Sequence, residues 1–374
     1  MLVAWRMLTD ERGRSALAIG GISIALLLVF LQLGFYLAVP RGGMLIYDKM
    51  RFDIVLASPD YAFQGLSGSL PRRRLYQAQA LTEIEQATPF YQQTGEWMTA
   101  STGVARDIFV MAFDPGVPIF DVEQITARLS DLKKPDTVLV DQATRKEFGE
   151  LRDGRVVEIE RRAETIIGTY QLGTGFAGLG IAITSDQNFL RLFPNRSLGE
   201  ISLGLLRLKA GADPLAVARR LREMLPADVQ VMTRAELAAY EKRHWTQETS
   251  TGLIFGFGAV VSFIVGMAIV NQILSTQLLR QLPQYATLKA IGYTQGALLS
   301  IVVSLAVLMA MIGFVPSLLL ATVINAVLRR VTLLPLDMTA GLVLTVLALA
   351  LIMACVSAVV SARVLRRADP VELF

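Results

Sequence analysis

SALAIGGISIALLLVFLQLGFYLAV, residues 15–39, carries no Asp, Glu, Lys, Arg or His and is longer than the roughly 20 apolar residues that cross a bilayer core. Three more uncharged stretches follow only after a long charge-bearing interval: residues 252–279, 295–328 and 339–362. One span near the start, three crowded near the end and residues 40–251 between them make a membrane protein of four transmembrane α-helices. Its single large external domain lies between helices 1 and 2. The first stretch also exceeds the roughly 7 to 15 apolar residues of a cleaved signal peptide, so it reads as an anchor.

Four crossings put both termini on one side, and short basic flanks decide which side. Arg6, Arg12 and Arg14 lie in the N-terminal segment 1–14, and Arg280 and Lys289 in the loop 280–294. Arg363, Arg366 and Arg367 lie in the tail 363–374, so all three segments are expected to be cytoplasmic. Arg329 and Arg330, in the short external loop 329–338, point the other way and are outnumbered.

The net charge of +4 belongs largely to those flanks and gives no reason to expect a nucleic-acid partner. Cys355 is the single cysteine and falls inside the fourth stretch, so the external domain holds no internal disulfide. With only His244 besides, the chain offers no His/Cys metal site or catalytic dyad. The spans lack ionisable residues, which argues against a proton-driven pump or an ion-conducting channel. Gln32, Asn271 and Gln272 are read as interhelical hydrogen-bonding groups.

The interval between the first two spans reads as a mixed α+β domain. Residues 52–57, 108–113, 137–140, 156–160, 165–170 and 181–184 carry strand patterns, separated by polar helical stretches and Gly/Pro breaks. Its last unit is a β-α-β element: a strand over 200–208, Asp213 capping a helix that begins at Pro214 and runs to Leu225, and a strand over 229–232. Beyond it, no Gly or Pro interrupts residues 235–251, so one helix over 235–279, about 67 Å long, would form a stalk running into the second span. A break marked by His244 and Trp245 at the membrane interface is the competing reading.

The loop between spans two and three reads RQLPQYATLKAIGY, residues 280–293. Pro283 suits a first helical turn, Gly292 suits a helix end, and Leu282, Tyr285, Leu288 and Ile291 give a short apolar face. An amphipathic helix lying across the membrane surface suits either simple membrane contact or docking of another subunit. In the second span Gly252, Gly256, Gly258, Ser262 and Gly266 form small-residue series that let a helix approach closely, either at a dimer seam or within one chain. Gly313 and Pro316 are read as a kink in the third span.

Several motifs carry no chemistry. Residues 173–178, GTGFAG, match GxGxxG, but the next element looks like a strand and not the helix such a site requires. No GxxxxGK[ST] occurs, so the chain lacks an ATPase phosphate loop. Glu158, Glu160 and Glu164 are expected to face solvent, and Arg72, Arg73 and Arg74 to form a solvated turn, with acidic lipid or a partner protein as the other use.

LPQYATLKAIGYTQ (residues 282–295) resembles the coupling helix of FtsX-like, or MacB-type, permeases of ABC transporters, and ADPVELF (residues 368–374) resembles the ending common in that family. Within the family, MRFDIVLASP, RRRLYQA, KKPDTVLVDQATRKEFG, ITSDQNFLRLFPNRSLGEISLGLLRLKAGADP and VTLLPLDMT look most like the DevC-type permeases of DevBCA-like exporters. Gln284 departs from the acidic residue usual in the loop motif.

The resemblance implies a MacB-like periplasmic core and a non-catalytic permease in a bacterial inner membrane. It implies ATPase contacts through Leu282, Pro283, Tyr285, Ala286, Leu288, Lys289, Ile291 and Gly292. It further implies a permease dimer and a separate ABC ATPase that binds ATP and Mg, with no cofactor in this chain. A HlyD-like membrane-fusion adaptor and a TolC-like outer-membrane channel would complete an exporter of lipid, glycolipid or other envelope material. The alternative is an FtsX-like regulator whose motion activates a periplasmic cell-wall hydrolase without transport. A polytopic membrane enzyme would need reactive residues clustered at a span end, and none is present.

Overall fold

The structure is a computed structural model that describes residues 12–99, 103–173, 175, 178–332 and 335–362. Arg6, the tail with Arg363, Arg366, Arg367 and ADPVELF, and Thr174, Phe176 and Ala177 of the glycine-rich loop lie outside the described residues. The chain divides into two compact units, Met1–Ala38 with Ser250–Phe374, and Val39–Thr249.

Helix α1 covers Arg12–Met44 and contains Pro40. The sheet unit adds the helices α2 (Arg73–Ala78), α3 (Asp186–Leu192), α4 (Pro214–Met224) and α5 (Arg234–Arg243). Helices α6 (Ser250–Arg280), α7 (Leu282–Ala290), α8 (Gln295–Thr332) and α9 (Ala340–Ser361) complete the membrane unit. Among the described residues, four helices are long and apolar enough to cross a membrane, at Ser15–Met44, Ser250–Arg280, Gln295–Arg329 and Ala340–Ser361.

The interior of this unit is made by Phe30 of α1, Leu274 of α6, Met309 of α8 and Met353 of α9, with Phe30 and Phe314 rings 5.5 Å apart. Where α1 meets α8, a side chain on Gly313 would lie 3.1 Å from Ile22 and 3.4 Å from the Ile19 carbonyl, so glycine permits that approach. Large apolar residues such as Phe257, Ile264, Leu319 and Leu344 stay exposed, as lipid-facing residues should.

The second unit is built on a nine-stranded mixed sheet. Its strands are β1 (Ile54–Ala57), β3 (Ile84–Thr99), β4 (Val104–Phe113), β5 (Thr137–Asp141), β6 (Val156–Ile159), β7 (Arg162–Tyr170), β8 (Ile181–Ser185), β10 (Leu203–Leu208) and β11 (Gln230–Thr233). β2 (Leu70–Pro71) and β9 (Glu200–Ile201) pair separately. The order is β11-β1-β10-β3-β4-β8-β5-β7-β6, and β6 returns to β3 at Trp97 and Met98, so the last six strands close on themselves. The long β3 joins the two halves, pairing with β10 through its first part and β4 through its second.

Both β10 and β11 run antiparallel to β1, which lies between them, so the expected β-α-β element is present with β1 inserted. Asp213 accepts from the Leu215 amide at 3.0 Å, and Val217, Ala218 and Leu221 form the buried face of α4. All four residues of β1 are buried, Ile54 and Leu56 into one core and Val55 and Ala57 into the other. Its alternating sides therefore serve two cores.

Three expectations change. The helix over 235–279 is interrupted: α5 ends at Arg243, His244–Glu248 form one π turn, and Thr249 is extended at φ −94° and ψ 145° before α6 begins. Thr246 and Thr249 hydroxyls bond the carbonyls of Lys242 and Trp245 at 2.7 and 2.8 Å, offering the backbone a local alternative to the regular ladder. Glu164 is fully buried, because ring closure of the sheet covers its face of β7. Arg74 is buried and makes a two-point bond to Asp228 at 2.9 and 2.6 Å, so it ties α2 to the segment before β11.

Candidate functional site

The loop helix α7 is cut by local signals. Pro283 sits in its first turn, and Gly292 follows its end at φ +104°, a conformation that favours glycine. Gly292 donates to the Lys289 carbonyl and Tyr293 to the Leu288 carbonyl, both at 3.1 Å, the paired bonds of a Schellman stop. The apolar face read from spacing is divided. Tyr285 and Ala286 are buried against the interior of the membrane unit, Leu282, Leu288 and Lys289 are half-buried, and Ile291 is 72% exposed.

Tyr285 thus packs α7 against its own bundle. The helix spends its apolar stripe on holding itself in place. Its exposed side and end carry Pro283, Gln284, Thr287, Ala290, Ile291, Gly292 and Tyr293.

The small residues of α6 point inward. A side chain on Gly256 would lie 3.2 Å from the Tyr36 ring, one on Gly258 2.7 Å from Gln32 Oε1, and one on Gly266 2.6 Å from Met353 Cε. Gly252, Ser262 and Gly266 are buried. The series is therefore used for packing within one chain, while the outward side of α6 carries Leu253, Ile254, Phe257 and Ile264. Of the expected polar groups, Asn271 joins a cluster in which Ser361 Oγ lies 3.0 Å from its Oδ1 and 2.8 Å from Ser275 Oγ. Asn325 is a polar residue that the sequence reading missed; it is buried beside Gly34 with both amide atoms unbonded.

The sheet unit holds a second missed group. Glu241, in the last turn of α5, is fully buried; Tyr61 donates its hydroxyl to one carboxylate oxygen and Trp245 Nε1 donates to the other at 3.0 Å. Tyr47 and Tyr61 hydroxyls are 2.9 Å apart, and Phe63 stacks on His244 with ring centroids 5.0 Å apart. Removal from water, the largest influence, pushes the Glu241 carboxyl up to about 7, against the donors that favour its charge. The only sequence signal was an acid four residues before a tryptophan.

Arg72 and the start of the glycine-rich loop take structural parts. The carboxylate of Asp141 accepts the Leu172 and Gly173 amides at 2.9 Å each, anchoring the start of that loop, and a strand follows it. Arg73 is exposed, and Arg72 is half-buried over the Tyr76 ring. Among the described residues, no three His, Cys, Asp or Glu side chains are grouped as a metal would need.

No curated protein matches the chain. The sheet unit resembles the periplasmic region of MacB from Actinobacillus actinomycetemcomitans at 12% identity and a TM-score of 0.36, covering 50% of this chain and 91% of that one. It also resembles the extracellular domain of the noncanonic ABC-type transporter YknZ from Gram-positive bacteria at 12% identity and a TM-score of 0.33, covering 48% and 98%. Neither likeness is close enough to carry an argument about function. Residues 256–370 match the FtsX-like permease C-terminal family, a stretch that contains most of α6 and all of α7, α8 and α9. The resemblance read from the loop is thus found independently over this region, in a chain whose described residues include four helices long and apolar enough to cross a membrane.

Proposed function

We propose that this chain is the permease subunit of an ATP-driven efflux complex, close to the DevC type, in a bacterial inner membrane with both termini in the cytoplasm. The observation that carries the reading is the FtsX-like match over residues 256–370, which surrounds a short helix pinned to its own bundle with one face free. A helix held in this way transmits a push from a bound ATPase to α6 and α8, since Tyr285 is lodged in the interior those helices share. ATP and Mg belong to that partner, and no catalysis is assigned to this chain. The sheet unit is then periplasmic and engages a HlyD-like adaptor beneath a TolC-like channel, with a lipid, glycolipid or other envelope molecule as cargo.

The docking residues are Ile291, Gly292 and the exposed side of α7, with Tyr285, Ala286 and Leu288 setting its angle. A permease dimer would use the large-residue side of α6, because the small residues are occupied within the chain. The test is purification of the full chain from its native membrane after mild crosslinking, with mass spectrometry of what accompanies it. An ATPase with a membrane-fusion adaptor supports the efflux reading. An ATPase with a periplasmic hydrolase and no adaptor moves the chain to the regulator class, and absence of any ATPase overturns both.

A further inference from the structure

The buried group at the end of α5 has no part in the proposed function, yet it is a closely packed polar cluster of the sheet unit. Five elements converge on it. Tyr47 comes from the short turn after α1, Tyr61 and Gln64 from the loop after β1, Gln92 from β3, Glu241 from α5 and Trp245 from the π turn. Gly43 approaches so closely that a side chain there would lie 2.5 Å from the Trp245 ring and 3.2 Å from Glu241 Oε2. The titratable groups facing the carboxyl are Tyr47, Tyr61 and His244, and among the described residues no Lys or Arg is paired with it.

A fully buried carboxylate without a cation is costly, whereas the neutral acid fits the same partners. With a proton on Oε1, Glu241 donates to Tyr61 and Tyr61 donates to Tyr47, reversing the direction of a chain in which either tyrosine can be the donor. Oε2 remains a carbonyl acceptor for the Trp245 indole. The bonds along the chain are kept, and the Tyr47 hydrogen freed by the reversal turns to Gln92, whose Oε1 has no other partner among the described residues.

We propose that Glu241, Tyr61, Tyr47 and Trp245 form a proton-held latch on the π turn His244–Glu248. The closed arrangement binds one proton on Glu241, and loss of that proton releases Trp245 and lets water reach the carboxylate. The direction follows from linkage. The closed state holds its proton up to about pH 7, whereas a hydrated glutamate loses it near about 4.3, so closing takes up a proton and rising pH opens the latch. The turn is suited to such a change: it is a π turn ended by an extended residue, and its hydroxyls already bond backbone carbonyls.

The test reads Trp245 directly in the full chain in phosphatidylcholine nanodiscs, with Trp5→Phe and Trp97→Phe removing the other two tryptophans. Between pH 5.5 and 8.5 the emission should shift to the red and acrylamide quenching should rise, with a midpoint near 7. Glu241→Gln mimics the neutral acid, donating to Tyr61 and accepting from Trp245, so it should keep the low-pH spectrum throughout. His244→Gln should retain the transition. An unchanged titration in Glu241→Gln, no transition in the parent protein, or a transition abolished by His244→Gln would each overturn the latch. If Glu241→Gln fails to fold, the parent protein and His244→Gln decide by the same readout.

Discussion

Glu164 shows what a single residue contributes when topology, and not its own pattern, decides its surroundings. It lies on β7 with neither carboxylate oxygen bonded, and desolvation first, with Asp136 second, pushes it up to about 7 against Arg162 and Arg191. Because the folded value stands above the unfolded value of about 4.3, its contribution to stability is fully present below that lower value and is lost as pH rises through 7. Glu164→Gln should therefore leave stability nearly unchanged at pH 5 and raise it by on the order of 2 kcal/mol at pH 8. Urea unfolding of the full chain at the two pH values measures this, and an equal effect at both would show that water reaches the carboxyl. Trp97 makes the contrasting case. It is fully buried beside Phe148 with ring centroids 5.6 Å apart, and its indole nitrogen is unbonded. Trp97→Ala should cost about 3–5 kcal/mol through the cavity, whereas Trp97→Phe keeps a ring there and gives up no hydrogen bond, and should cost about 1 kcal/mol. The same unfolding measurement separates them.

At the scale of elements, α7 and α6 each have one side that holds the bundle together and one that is free. Tyr285→Asp should place a carboxylate in the apolar interior of the helix bundle and cost several kcal/mol, seen as loss of folded protein on mild detergent extraction. Ile291→Asp changes an exposed position and should alter stability by less than about 0.5 kcal/mol while removing the ATPase from the purified complex. Loss of the ATPase in neither variant would refute the docking assignment. On α6, Gly266→Leu should separate the helix from Met353 and Ala25 and lower the thermal midpoint, whereas Val265→Leu, on the exposed side, should not. These contrasts mark what was legible in the sequence. The spans could be read because a continuous uncharged run needs no tertiary context, and α4 and α7 because Asp213, Pro214, Pro283 and Gly292 punctuate them locally. The inward direction of Tyr285 could not be read, since one apolar stripe serves a bundle or a partner equally well. β3 was missed for a different reason: Pro89, Gly95 and its glutamines break the alternating pattern, and its length comes from β10, β4 and β6 pairing along it.

For the whole molecule, the decisive quantity is the parity of membrane crossings, which does not depend on how the two units are placed. Leu215, in the sheet unit, is 57% exposed, and Ile291, after α7, is 72% exposed. A single candidate span, Ser250–Arg280, separates them in sequence, so a crossing by that helix is expected to put them on opposite sides of the bilayer whichever way the chain is oriented. Basic flanks then give the expected orientation: Arg280 and Lys289 border the loop that holds Ile291, and long domains cross largely regardless of charge. Leu215→Cys should accordingly react with an impermeant maleimide from outside intact cells stripped of their outer membrane, and Ile291→Cys only after the inner membrane is opened. The native Cys355 lies exposed on α9 within the fourth span, where the hydrocarbon layer shields it, so it should remain unlabelled in both experiments until detergent is added. Labelling of both positions from the same side would mean that α6 does not cross. That result would remove the path by which a push on α7 could reach the sheet unit, and with it the mechanical reading of the chain.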